Sequence, residues 1–201
     1  MTQTSNTHPL SSLMMFLAGL YASEGRAGGR ETAAALIEAA RNPQPLPVNP
    51  APQLALEALA IDPHPGREVI EAALPHLTWT DASGAMAGLK PSWADGMLMN
   101  ELLGPSGQFH HPSVRAGLFV QAADFHYGLR THPAEETYIL LGGSSFWATG
   151  NDTPTPRHTG EIIHHPVMIP HQTLTRDAPF IAVWRWSGDI AYEGYAAVET
   201  A

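Results

Sequence analysis

Three residues in the stretch THPAEETYILLGG carry side chains able to do chemistry at one point: His132, Glu136 and Tyr138. They sit at positions i, i+4 and i+6. Alternate side chains of an extended chain share a face, so a strand running through all three would turn them the same way. Imidazole and carboxylate are the usual pair for a divalent transition metal where thiolates are absent. The chain has no cysteine. That excludes disulfides, thiolate metal sites and cysteine nucleophiles, and leaves only nitrogen and oxygen ligands. Tyr138 adds a phenol within reach of the same point. The plainer reading is a half-polar edge strand, with Glu136 solvated and His132 in a turn ahead of Pro133.

A third ligand must come from another element. Most of the histidines lie between Phe109 and His171, which places function in the second half of the chain. HHPVMIPHQTL supplies His164, His165 and His171. His171 follows Pro170 at a sharp turn, where a side chain can be aimed inward. His164 and His165 are adjacent, so in a strand they face opposite ways. A surface role is expected for both.

The elements that must position these residues change character near residue 105. The first half reads as helical. Ser11 or Ser12 can cap a helix running to about Glu24. Arg30–Arg41 is rich in alanine and straight-chain residues, which favour helix. Gln53–Ile61 and Gly66–Leu77 give further helices, separated from the first two by the proline-rich break Asn42–Pro52. Met97–Gly104 is read as a last short apolar element of this helical part, stopped by Gly104. The second half holds β-branched or aromatic runs bounded by Gly, Pro, Asn and Asp: Arg115–Ala123, Glu135–Gly143, Ser144–Gly150, Gly160–Ile169 and Pro179–Gly188. Short strands at this spacing imply a sandwich or barrel. The expected architecture is a helical part, residues 1–104, packed on an antiparallel β-barrel, residues 105–201.

Composition narrows the function classes. With 201 residues, 44% of them hydrophobic, the chain suits one compact unit with a real core. The formal net charge is −9 and Lys90 is its one lysine. There is no basic run to neutralise phosphates, so nucleic-acid binding is not expected. The apolar segment Leu10–Ala22 lacks the positive residues that precede a signal-peptide core and is too short to span a bilayer. It is read as a buried helix of a cytoplasmic protein that is not bound to membranes.

THPAEETYILLGG followed by HHPVMIPHQTL resembles the two signature regions of a cupin barrel. His132 fills the second histidine place of the first region, Glu136 the glutamate and Gly143 the glycine, while His171 fills the histidine of the second region. The finer pattern HPAEETY, with the later WRWSGDI (Trp184–Ile190), resembles the bacterial cupin-type dimethylsulfoniopropionate lyases, most nearly the DddQ-type group. The resemblance covers roughly Phe119–Tyr192, and the helical N-terminal extension also suits that family. One position departs from it. Arg130 stands where cupins place the first histidine, and an arginine is not a metal ligand. His126 is not expected to replace it, because the alternation does not carry across Gly128.

The resemblance implies a metal-dependent β-elimination that splits dimethylsulfoniopropionate into dimethyl sulfide and acrylate. It implies one divalent metal (Zn, Mn, Fe, Co or Ni) on His132, Glu136 and His171, with Tyr138 as a possible fourth ligand. A tyrosine lowered by the metal's charge would be the base. Tyr138 is the first choice, and Tyr127 is the second because the family has a tyrosine just ahead of the first signature. The substrate is a zwitterion, a sulfonium and a carboxylate. Aromatic faces bind such cations, which points to Trp186 and Trp184, on one face of their strand with Arg185 opposite. Arg130 is available for the carboxylate. The N-terminal helices are packing elements that also offer a homodimer contact. Gly88–Met97 is read as a surface loop, with a lid over the barrel mouth as the alternative. Two other readings use the same residues: an iron-dependent oxygenase of this fold, and a non-catalytic barrel that binds a small ligand.

Overall fold

The computed structural model describes residues 8–42, 47–81 and 96–198. Most of the loop expected at Gly88–Met97 lies outside them. Four helices come first: α1 (Pro9–Ser23), α2 (Ala27–Ala40), α3 (Gln53–Ala60) and α4 (Arg67–Ala73), the last running into a 3-10 turn at Leu74–His76. Helix α1 starts earlier than a Ser11 or Ser12 cap would place it. The ring of His8 caps it instead, Nδ1 accepting from the Leu10 N–H at 3.3 Å. Ser11 is buried and donates to the Ala40 carbonyl at 2.9 Å, which ties α1 to the end of α2. Leu10, Leu13, Met14, Leu17 and Tyr21 form one fully buried stripe. Each leucine in it contributes roughly 1.5–3 kcal/mol.

Twelve strands follow among the described residues: β1 (Thr80–Asp81), β2 (Met97–Gly104), β3 (Phe109–His110), β4 (Val114–Gln121), β5 (His126–Thr131), β6 (Ala134–Gly143), β7 (Ser145–Thr149), β8 (Thr155–Arg157), β9 (Ile162–His165), β10 (His171–Leu174), β11 (Phe180–Gly188) and β12 (Ala196–Ala197). They form two facing sheets. The larger runs β1-β2-β4-β11-β6-β9, with β3 beside β2, and the smaller runs β12-β5-β10-β7-β8. All pairs are antiparallel except β2 with β3. This is the expected cupin barrel with a helical N-terminal extension.

Met97–Gly104 is a strand, not the helical element expected. It pairs with β4 through Leu98↔Val120 and Asn100↔Leu118. A short apolar run has no period to separate helix from buried strand, and the pairing decides. The larger sheet therefore begins before residue 105. Gly160–Ile169 is also not one strand. It ends at His165, and Pro166 and Pro170 bracket a turn before β10.

Both faces of the larger sheet are covered, which is why β4 and β11 read as nearly continuous apolar runs. Ile181 and Val183 of β11, with Ile139 and Leu141 of β6, face the helices in one core. Phe180, Ala182, Trp184 and Trp186, with Tyr138 and Leu140, face the barrel interior in another. Strand β6 ends at Gly143, where φ is +89° and a Cβ would collide with the Pro179 carbonyl. Only glycine takes this bend without strain.

Candidate active site

The predicted ligands come from both sheets. His132 does not lie in the same strand as Glu136. It occupies the corner where the chain leaves β5 in one sheet and enters β6 in the other. Its Nδ1 faces the Ala134 carbonyl at 3.1 Å. His171 opens β10, and its Nδ1 faces the Ile169 carbonyl at 2.9 Å. A carbonyl can only accept, so in each neutral ring Nδ1 carries the hydrogen and Nε2 is a bare lone pair. These two Nε2 atoms lie 3.3 Å and 3.2 Å from the same oxygen, Glu136 Oε2. His171 Nε2 is buried with no hydrogen-bond partner. Ligand atoms of His132, Glu136 and His171 all fall within 4.8 Å of one another, and all three residues are buried. Three acceptors turned on one point need a cation between them. The donor set therefore fits a divalent metal, with each histidine held by its other nitrogen as metal-ligating imidazoles usually are.

The electrostatics agree. Burial alone would raise the Glu136 pKa. The hydrogen bond from His165 Nδ1 opposes it, and the carboxyl is held well below its ordinary range, the direction in which a bound cation also acts. Burial, then the neighbouring His165 and Arg130, keeps His171 well below the usual imidazole value. A low imidazole pKa keeps the nitrogen free of protons and ready for a metal.

Beside this cluster, Tyr138 faces inward from β6, and its phenol is nearly fully buried. Burial and then Glu136 push its pKa well above 10.0, while the charge of Arg130 acts in the opposite direction. Arg130 is itself enclosed in the barrel. Its guanidinium lies over the Tyr127 ring at 3.6 Å, and one terminal nitrogen, Nη2, has no partner. Burial opposes its charge, but Tyr127, Tyr195 and Tyr138 more than offset this and raise its pKa. Tyr127 is buried, with its hydroxyl against that of Tyr195. His126 points outward to Gln172 at 2.8 Å.

Trp184 and Trp186 both face the barrel interior, and Arg185 faces the helices. Trp186 does more than line the wall: its Nε1 donates to Glu136 Oε1 at 2.7 Å. Met99, Tyr127, Glu136, Tyr138, Trp184, Trp186, Tyr192 and Tyr195 enclose a cavity of about 20 Å³, room for about one water molecule.

Three residues of this site escaped the sequence reading. His165, expected at the surface, is fully buried, and its Nδ1 lies 2.9 Å from Glu136 Oε2. It is opposite Glu136 in the β6–β9 register. That pairing, invisible in a linear count, decides which of the two adjacent histidines turns inward. Tyr192 and Tyr195 form part of the wall from residues 189–198, a segment that runs from the end of β11 in one sheet to pair with β5 in the other through Ala196↔Thr131 and Ala197↔Arg130. Nothing local marks them, because their place depends on where the segment docks. His164 faces away from the site.

Comparison with known proteins agrees with this geometry. The family model described as dimethylsulfoniopropionate lyase matches residues 28–182, well over half of the chain. A curated relative, dimethylsulfoniopropionate lyase DddQ of Ruegeria pomeroyi, is 35% identical over 89 residues. That alignment covers 44% of this chain and 44% of the relative, so the chain matches less than half of that protein's length. The crystal structure of DddQ from Ruegeria pomeroyi DSS-3 superposes with a TM-score of 0.60 at 25% identity, over 97% of this chain and 95% of that one. A solved structure of the lyases RdDddP and RnDddQII gives a TM-score of 0.62 over 94% of this chain and 100% of that one, at 22% identity, a likeness of fold. The chain belongs to the dimethylsulfoniopropionate lyase family.

Proposed function

We propose that this chain cleaves dimethylsulfoniopropionate by β-elimination, with a divalent transition metal held by His132, Glu136 and His171 and with Tyr138 as the base. The observation that carries this reading is the convergence of two bare imidazole nitrogens on one Glu136 oxygen, beside a buried tyrosine and a wall of aromatic rings. A divalent ion bound there supplies Lewis acidity to the substrate carboxylate and a positive charge that lowers the pKa of a nearby phenol.

The chain's own groups do the rest. Tyr138, as tyrosinate, takes the proton α to the carboxylate. The electron pair left behind forms the carbon–carbon double bond. The β carbon–sulfur bond breaks, and its pair leaves with sulfur as neutral dimethyl sulfide, giving acrylate and a protonated Tyr138. Glu136 is the weaker base, since both of its oxygens already accept hydrogen bonds. The unpartnered nitrogen of Arg130 offers the substrate carboxylate a charged donor. Its fixed charge also opposes the burial that keeps Tyr138 protonated. Trp184 and Trp186, joined by Tyr192 and Tyr195, present ring faces to the sulfonium, worth about 0.5–2 kcal/mol each when desolvated. The cavity holds only about one water, so substrate entry displaces part of the wall. Residues 189–198 are the part held by the fewest strand pairs.

The test is headspace gas chromatography of dimethyl sulfide from metal-loaded protein, alongside metal analysis of variants. Wild type should release dimethyl sulfide with at least one of Zn, Mn, Fe, Co or Ni, and Tyr138→Phe should not. No release with any of the metals sinks the lyase reading. Full activity in Tyr138→Phe moves the base to Tyr127. Unchanged metal content in both His132→Ala and His171→Ala overturns the ligand assignment.

A further inference from the structure

Tyr138 apart, the proposed ligands are His132, Glu136 and His171, and they come from a corner and two strands in different sheets. A site with fewer ligands depends more on what holds each of them still. Glu136 is held at both oxygens. Trp186 donates to Oε1 at 2.7 Å, and His165 Nδ1 meets Oε2 at 2.9 Å. An ionised carboxylate only accepts, so the His165 hydrogen in this bond is on Nδ1. Its Nε2 is then a lone pair, buried and without a partner.

His165 also touches a second ligand. Its ring stacks on that of His171, with centroids 3.9 Å apart and planes 16° from parallel. Trp147 lies against it at 5.6 Å, and Tyr138 approaches edge-on at 5.8 Å. The ring is therefore hemmed in by His171, Trp147 and Tyr138. His165 is not itself part of the set whose ligand atoms lie within 4.8 Å of one another. Its near nitrogen is committed to the Glu136 hydrogen bond.

We propose that His165 is a positioning residue for the metal site. It fixes the Glu136 carboxylate by hydrogen-bond donation and the His171 imidazole by stacking, supplying the rigidity that a fourth protein ligand would otherwise give. The proposal rests on the metal reading of the site.

Two variants and one spectroscopic probe test it. His165→Phe keeps a flat ring for the stack and removes the donor. His165→Asn places an N–H near the position of Nδ1 and removes the ring. Each is loaded with Co(II), whose visible absorption reports ligand geometry, and affinity is read by competition with a chelator. Removing a group that holds a metal ligand typically weakens affinity about 10–100-fold. That loss, with a shifted cobalt spectrum, is expected for His165→Phe, and His165→Asn should recover part of the affinity. A His165→Phe protein with wild-type affinity and spectrum overturns the proposal. So does complete loss of binding in that variant, since His165 would then be a ligand. If His165→Phe fails to fold, judged by circular dichroism, His165→Asn decides: a loss within about tenfold supports positioning and a larger loss refutes it. Wild type that binds no Co(II) overturns the metal reading together with this one, a result distinct from wild type that binds while His165→Phe matches it.

Discussion

Strands β6 and β11 carry two buried charge clusters back to back. On the helix side, Arg185 is fully enclosed and fully used. Its Nε donates to Glu24 at 2.7 Å, Nη1 to Ser187 at 2.9 Å, and Nη2 to Glu24 and to Glu135. Thr137 gives Glu24 a further donor at 2.8 Å. Helix α2 can lie directly on this cluster because Gly28 has no Cβ to strike Arg185 and Ser187. On the barrel side, around Glu136 of β6 and Trp186 of β11, buried polar atoms from β5, β9 and β10 lack partners: Arg130 Nη2, His165 Nε2 and His171 Nε2. Burying a polar group without a partner is costly, so natural proteins rarely tolerate it where nothing is bound. Glu24, Glu135 and His164 also come within metal-ligating distance of one another, but Arg185 bridges both carboxylates and Arg26 lies 3.8 Å from Glu24. The satisfied cluster ties the helices to the barrel, and the unsatisfied one is where the metal is proposed to sit.

That contrast can be broken at several points. The largest effect is expected on the barrel side, from Tyr138→Phe. Losing a general base should lower kcat by about 10²–10⁴-fold while urea midpoint and metal content stay near wild type. A matching collapse of stability would mean Tyr138 is only core. Next comes Arg185→Met on the helix side. It strands Glu24 without its partner and should cost about 3–5 kcal/mol of unfolding free energy, with bound metal per folded protein unchanged. Metal loss in that variant would merge two clusters that the structure keeps apart.

The pH response should separate the clusters more gently. Burial holds His165 and His171 below the ordinary imidazole value of 6.5. Below that pH the unfolded chain binds protons that the folded, metal-free chain does not. Stability is therefore fully present above about pH 6.5 and falls as the pH drops through it. His64 and His164 add losses of the same sign, and Glu24 and Glu136 join only below the carboxylate value of 4.5. Urea midpoints of metal-free protein should fall between about pH 7 and pH 5, less steeply in His171→Gln. An identical slope in that variant would remove the barrel-side histidines from the account. The smallest change is expected from Trp184→Leu, which takes one ring from the proposed cage. KM should rise by the equivalent of about 0.5–2 kcal/mol with kcat nearly constant. A drop in kcat alone would place Trp184 elsewhere in the reaction.

How much was legible beforehand depended on how local each signal was. Helices α1 to α4 follow from alanine-rich, amphipathic runs between proline and glycine breaks. Strands β6 and β11 follow from β-branched and aromatic alternation, which also orients Tyr138, Trp184 and Trp186. Pro170 marks the turn that leads into His171 at the start of β10. What failed was non-local. MLMNELLG has no period, so only its pairing with β4 makes it a strand. His165 turns inward because β9 meets β6 in one register rather than the next. The corner at His132–Pro133 changes sheet between two proposed ligands that a straight strand would have aligned.

The segment bearing Tyr192 and Tyr195 has a consequence in time. Residues 189–198 follow every proposed ligand along the chain, so translation delivers the ligands before their cover. At roughly 5–20 residues per second, the ten residues after β11 take about 0.5–2 seconds to arrive, an interval in which the barrel is a cup without them. An ion can enter that cup directly, whereas entry into the finished molecule must wait for the cover to lift. Metal added during refolding should accordingly be taken up faster than metal added afterwards. Equal uptake rates would show that the cover is no barrier.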